Sequence, residues 1–129
     1  HLGGKTMLYM IDGLYTATDN QGQVFRFESF DNDWASSILV SQDPVAIDSV
    51  GLDILSSEPR ATRVTGNPDN YLHEAAMANN PPSGIKYDPE GDGTVLESLG
   101  VHEHWNNLKD MKYSRNLGTG EGIELIAVK

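Results

Sequence analysis

The chain has 129 residues, enough for one domain and too few for two. Its 9 basic and 19 acidic residues leave a net charge of −10, which argues against nucleic-acid binding and against adhesion to anionic lipid, both of which need a basic surface. Cysteine is absent, so the chain carries no disulfide, no thiol nucleophile and no iron–sulfur cluster.

His1-Leu2-Gly3-Gly4-Lys5 opens without an initiator Met and leads straight into an apolar run. This reads as residues 1–129 forming a single domain at the C-terminal end of a longer protein. The expected partner is therefore the missing N-terminal part of the same polypeptide, and a homo-oligomer is a further expectation. No run approaches the 18 or so apolar residues of a membrane span, and no basic-then-apolar signal peptide opens the chain. A soluble protein is expected, with the choice between cytoplasm and export left open.

Thr6 to Ile11 is nearly continuously apolar and ends at Asp12-Gly13, the pattern of a strand buried on both faces. Asp19-Asn20-Gln21-Gly22 predicts a turn, and Val24 to Phe27 alternates like a surface strand. Ser37 to Ser41 predicts a second buried strand. Asp43-Pro44 pairs a capping residue with proline at the first helical position. Val45, Ile47, Val50, Leu52, Ile54 and Leu55 then cover too much of the circumference for a surface helix, so this helix is expected to be mostly buried. Glu58-Pro59 closes it. Asn67-Pro68 opens a second helix over 69–79, stopped by Asn80-Pro81-Pro82-Ser83-Gly84. Ile85 to Gly122 is rich in Gly, Asn, Asp and Pro and predicts loop, with one short helix around Val95 to Leu99. Gly122 to Val128 predicts a last strand. The fold class is α/β, a small mixed sheet with two main helices and a long irregular C-terminal segment, with α+β as the alternative.

Ser41-Gln42-Asp43-Pro44-Val45-Ala46-Ile47-Asp48-Ser49-Val50-Gly51, preceded by Leu8 to Tyr15, resembles the C-terminal part of the "domain of unknown function 362" family. Ser98 to Asn107 and Tyr113 to Leu117 are similar to one branch of it. The resemblance spans nearly all of this chain but only the rear portion of a typical member. It implies no reaction. Some members look iron–sulfur associated through cysteine segments, which this cysteine-free chain does not share.

Asp12, Ser41 and Asp43 are the first ligand-binding candidates. Were the two apolar runs neighbouring parallel strands, Asp12 and Ser41 would both leave at carboxyl ends, beside the helix N-terminus. A carboxylate pair with a hydroxyl there could hold a hard cation or a polar substrate. The plainer reading makes Asp43 a helix cap and Asp12 a turn residue. Asp48 stands on a helix apolar nearly all round and needs a partner: it faces that same site, bonds a loop backbone or emerges on a narrow solvent-facing stripe. His102 and His104 point the same way in an extended segment, a spacing used by metal sites. His73 on the second helix is a third nitrogen, and Asp48 or Glu103 an oxygen, for a divalent metal such as zinc, iron or manganese.

Asp88-Pro89-Glu90-Gly91-Asp92-Gly93 matches the first half of a calcium loop, but Leu99 stands where its bidentate Glu belongs, so a solvated turn is expected. Trp34, Trp105, Tyr71, Tyr87 and Tyr113 read mainly as core, with a sugar or peptide groove as the alternative. Arg115 is a candidate clamp for an anionic ligand, or a neutraliser of nearby carboxylates. No dinucleotide fingerprint, phosphate loop or serine-hydrolase elbow is present. Two functions follow: a polar, metal-assisted ligand or reaction site belonging to a larger enzyme, or a non-catalytic binding and assembly module.

Overall fold

The computed structural model describes residues 6–17, 22–62 and 64–128. The opening His1 to Lys5 and the turn expected over Asp19 to Gln21 lie outside the described residues. Strand β1 (Tyr9–Gly13) pairs antiparallel with β4 (Ser37–Ser41), and β2 (Thr16–Ala17) pairs antiparallel with β3 (Val24–Phe25). Helices α1 (Pro44–Ser56) and α2 (Pro68–Ala76) pack against each other, and a one-turn helix α3 (Ser114–Leu117) lies in the tail. The content is mixed α/β, with two small sheets where a single one was expected.

Antiparallel pairing alters the geometry at the strand ends. Asp12 lies opposite Ile38, and Ser41 lies opposite Tyr9. The two polar residues are thus about 10 Å apart along the ladder, at roughly 3.4 Å per residue. Neither strand is buried on both faces. Ile11 and Leu39 face inward, whereas Met10, Ile38 and Val40 are 62%, 58% and 52% exposed on the other side.

Helix α1 starts as its sequence dictates. The Asp43 carboxylate accepts from the N–H groups of Val45 and Ala46, both at 2.9 Å, and Pro44 follows at the first helical position. Such a cap contributes roughly 1 kcal/mol. Val45, Ile47, Ser49, Val50 and Asp53 form the buried face. Val50 packs with Tyr113 and Ile123, and Leu39, Ile54, Trp105 and Leu125 surround them. Gly51 lets β1 approach closely, since a Cβ there would sit 3.2 Å from Ile11 Cδ1.

The segment after α2 is irregular but tied down. Leu99 N–H donates to Ala75 C=O, and Tyr87 N–H to Ala78 C=O. Val95 to Leu99 is not helical, and Ile123 to Val128 pairs with no strand among the described residues. The Asn116 amide replaces that ladder: it accepts from Leu125 N–H at 3.0 Å and donates to Leu125 C=O at 3.1 Å. No described helix is long and apolar enough to cross a membrane.

Candidate metal centre

Three short spacings meet at one place. Ser49 and Asp53 stand four apart on α1, so one buried face carries both. Asp69 and His73 stand four apart on α2. His102 and His104 alternate along an extended segment and so project to one side. Glu103, between them, turns the other way and accepts from Ser114 N–H, Ser114 Oγ–H and Ile123 N–H.

Asp43 sets the position of the imidazole segment. Its second carboxylate oxygen accepts from Val101 N–H at 2.9 Å, one residue before His102. Gly100 allows the approach, because a Cβ at that position would collide with the Asp43 carboxylate. The cap thus serves two elements.

Asp69 is the focus of the cluster. His102 Nε2 and His104 Nε2 both lie 2.9 Å from its Oδ1, and His73 Nε2 lies 3.4 Å from its Oδ2. One ligand atom from each of Asp69, His73 and His102 falls within a mutual 4.8 Å. The His102 ring meets His73 edge-on at 4.5 Å and His104 at 5.0 Å. Its side chain is 1% exposed, against 48% for His73, 50% for His104 and 42% for Asp69. The cluster is therefore floored by protein and open on one side.

Proton accounting makes the arrangement unusual. Ser49 Oγ–H donates to Val45 C=O at 2.7 Å, a common use of a mid-helix serine. Its single proton spent, the hydroxyl accepts from His102 Nδ1–H at 2.8 Å. His104 Nδ1–H donates to Asp53 Oδ1 at 2.7 Å. In the neutral form each imidazole then presents an Nε2 lone pair to the same carboxylate oxygen. Acceptors facing an acceptor at 2.9 Å require a proton or a cation among them.

The electrostatics run in opposite directions at the two rings. Burial, with smaller help from the neighbouring His73 and His104, holds His102 below the usual imidazole value despite Asp69. The hydrogen bond to Asp53 raises His104 despite partial burial. Burial pulls Asp69 upward, but the approach of His102 and His104, whose Nε2 atoms donate to it when the rings are charged, outweighs it and the net shift is down. Tyr113 is pushed far above the ordinary phenol value by burial and then by its bond to Asp53.

The other candidates lie elsewhere. Asp12 accepts from Leu14 N–H at 2.9 Å at an exposed turn, and Ser41 Oγ accepts from Asp43 N–H at 2.9 Å. They do not converge, because β1 and β4 run in opposite directions. Asp48 is exposed at a groove between α1 and β1, where partial desolvation raises its carboxyl. Arg115 donates to Glu121 C=O at 3.1 Å and closes a local turn. Asp88 accepts from Gly91 and Gly93 N–H, so its loop is an exposed closed turn. Trp105 and Tyr113 are core, Trp34 meets Tyr15 edge-on with the Arg26 guanidinium over its ring, and Tyr71 and Tyr87 line a separate groove of about 680 Å³. Asp69, Ser49 and Asp53 are the members that sequence reasoning missed. The four-residue spacing of Asp69 to His73 on a helix opened by Asn67-Pro68 was the available signal.

No protein-family model, curated protein or solved structure matches this chain.

Proposed function

We propose that the chain holds one divalent transition-metal ion on Nε2 of His73, His102 and His104 and on the Asp69 carboxylate. We further propose that the open side serves metal-assisted chemistry within a larger enzyme, whose rear portion this chain forms in the manner of the family it resembles. The observation that carries the reading is the convergence of the His102 and His104 Nε2 atoms on one Asp69 oxygen, both at 2.9 Å. Metal–ligand bonds of about 2.0–2.1 Å put tetrahedral ligand atoms about 3.3 Å apart, so the two 2.9 Å approaches to Asp69 Oδ1 open by a few tenths of an ångström, while His104, which lies outside the mutual 4.8 Å group of Asp69, His73 and His102, has to draw in towards the ion. Three imidazoles and one carboxylate suit zinc, iron or manganese. With the half-exposed His73, His104 and Asp69 at the rim, water or a substrate oxygen would reach the ion by expansion to a fifth position or by displacing one of these rim ligands. A metal there would act as a Lewis acid or lower the pKa of bound water.

Elemental analysis of protein purified without added metal, beside the His102→Ala/His104→Ala variant, tests the reading. About one equivalent in the wild type and none in the variant is expected. No metal in either, even after incubation with zinc, iron or manganese, overturns it.

A different observation favours the assembly reading beside it. The outer face of the β1–β4 sheet is apolar and open to solvent, with Met10, Ile38 and Val40 62%, 58% and 52% exposed. Analytical ultracentrifugation finding only monomer would count against self-association as its use.

A further inference from the structure

The geometry points to Asp53 as a positioning residue of this centre, one that dictates which ring nitrogen of His104 is free to bind metal. The inference rests on the metal-site reading above and adds a residue that never touches the metal.

The argument is a division of labour between two oxygens. Asp53 is 6% exposed and sits in the last turn of α1. Its Oδ2 accepts from Trp105 N–H at 2.9 Å and from the Tyr113 hydroxyl at 2.8 Å. Those bonds join α1 to the tail, and Tyr113, fully buried, locks the carboxylate in place. A purely structural Asp53 is complete with Oδ2 alone. Oδ1 has a different partner, His104 Nδ1, at 2.7 Å. Taking that proton leaves the lone pair on Nε2, and Nε2 is the atom aimed at Asp69. A carboxylate behind a ligating imidazole also makes the ring a stronger donor. Ser49 fixes the His102 tautomer in the same way with a neutral hydroxyl.

Asp53→Asn separates the two jobs. The Asn oxygen must take the Oδ2 place, because Trp105 N–H and Tyr113 O–H both need an acceptor there. Its NH₂ then faces His104 Nδ1, which has to accept, and the His104 proton moves to Nε2. Zinc affinity should fall about 10–100-fold, the usual effect of losing such an outer partner. In a His104→Ala background the same change should alter zinc affinity by no more than about twofold, since the two effects act through one ring.

The experiment measures zinc affinity by chelator competition for the wild type, Asp53→Asn, His104→Ala and the double variant, with the thermal midpoint of each. In mildly alkaline, metal-free solution, ¹⁵N imidazole spectra report the tautomer directly. Support is a His104 proton on Nδ1 in the wild type and on Nε2 in Asp53→Asn, with the non-additive affinities above. An unchanged tautomer, or an Asp53→Asn loss of equal size with and without His104, overturns the inference while leaving the metal reading intact. Absence of zinc binding by the wild type overturns the metal reading itself, and the positioning role with it.

Discussion

Asp53 and Glu58 are both buried carboxylates at one helix and its exit, 6% and 3% exposed, yet they serve unlike ends. Glu58 accepts from Ser29 N–H at 3.0 Å, Ser29 Oγ–H at 2.8 Å and Arg60 N–H at 3.1 Å. Each of those donors has met its need when it reaches the carboxylate, and the network ends there. It ties the 3-10 turn over Glu28–Phe30 to the end of α1, helped by the Arg60 guanidinium on Glu28 and on Arg26 C=O. The Asp53 network does not end. His104 passes the connection on to Asp69, where two more imidazoles arrive. Burial of a charge therefore does not mark a site by itself; a partner with a second functional end does.

The sharpest break in this comparison is His102→Ala. It removes the innermost of the proposed ligands and should weaken zinc binding by more than about 100-fold, beyond the loss of any outer partner. Chelator competition measures it, and an affinity within tenfold of the wild type would place the metal elsewhere. Next in size is the stability that an ion bound there should confer. At free zinc 100 times its dissociation constant the wild type should gain about 2.7 kcal/mol in denaturant unfolding, and His102→Ala should gain almost nothing. Equal gains would mean that zinc acts through some other site.

The two regions also differ in how far the sequence exposed them. The starts of α1 and α2 were readable because Asp43-Pro44 and Asn67-Pro68 are local signals, complete within a few residues. The α2 end expected at Asn79 lies three residues beyond the observed one, because the chain leaves the helix at Met77 without a breaker until Pro81. That His102 and His104 face one way follows from strand-like alternation, and the His73 ring lies 4.5 Å from that of His102. The oxygen was not readable as Asp48 or Glu103. Asp48 belongs to the exposed side of α1, and Glu103 alternates away from its neighbours to hold Ser114 and Ile123. Asp69 and Asp53 gain meaning only when α1, α2 and the tail meet, across 33 to 60 residues of sequence. The last strand failed for a similar reason: its apolar pattern is real, but its hydrogen-bond partner is a side-chain amide, Asn116, and no periodicity announces that.

Glu58→Gln probes the region whose network ends. A neutral amide cannot accept from all three donors as the carboxylate does, so stability should fall by about 1–2 kcal/mol at neutral pH. Zinc affinity should be unchanged, since none of the Glu58 partners reaches Asp69. A loss of zinc binding in this variant would show the two networks to be one.

The smallest effect is the pH dependence of that difference. Burial alone would raise the Glu58 carboxyl, but hydrogen bonds from Ser29 N–H, Ser29 Oγ–H and Arg60 N–H outweigh it, and its folded pKa lies below the ordinary value. A carboxyl depressed on folding adds stability in full above its unfolded pKa, near 4.3, and loses it as pH falls through the folded value. The gap between wild type and Glu58→Gln should therefore be flat above about pH 6 and shrink as the solution is acidified past 4.3. Asp69, Asp88 and Asp92 are also depressed and add acid sensitivity of the same sign, but they are common to both proteins and cancel in the difference. Paired urea titrations across that range in chelator isolate the Glu58 contribution from metal loss. A gap that widens in acid would mean that burial dominates at Glu58 and that its three donors hold the carboxylate less firmly than their distances imply.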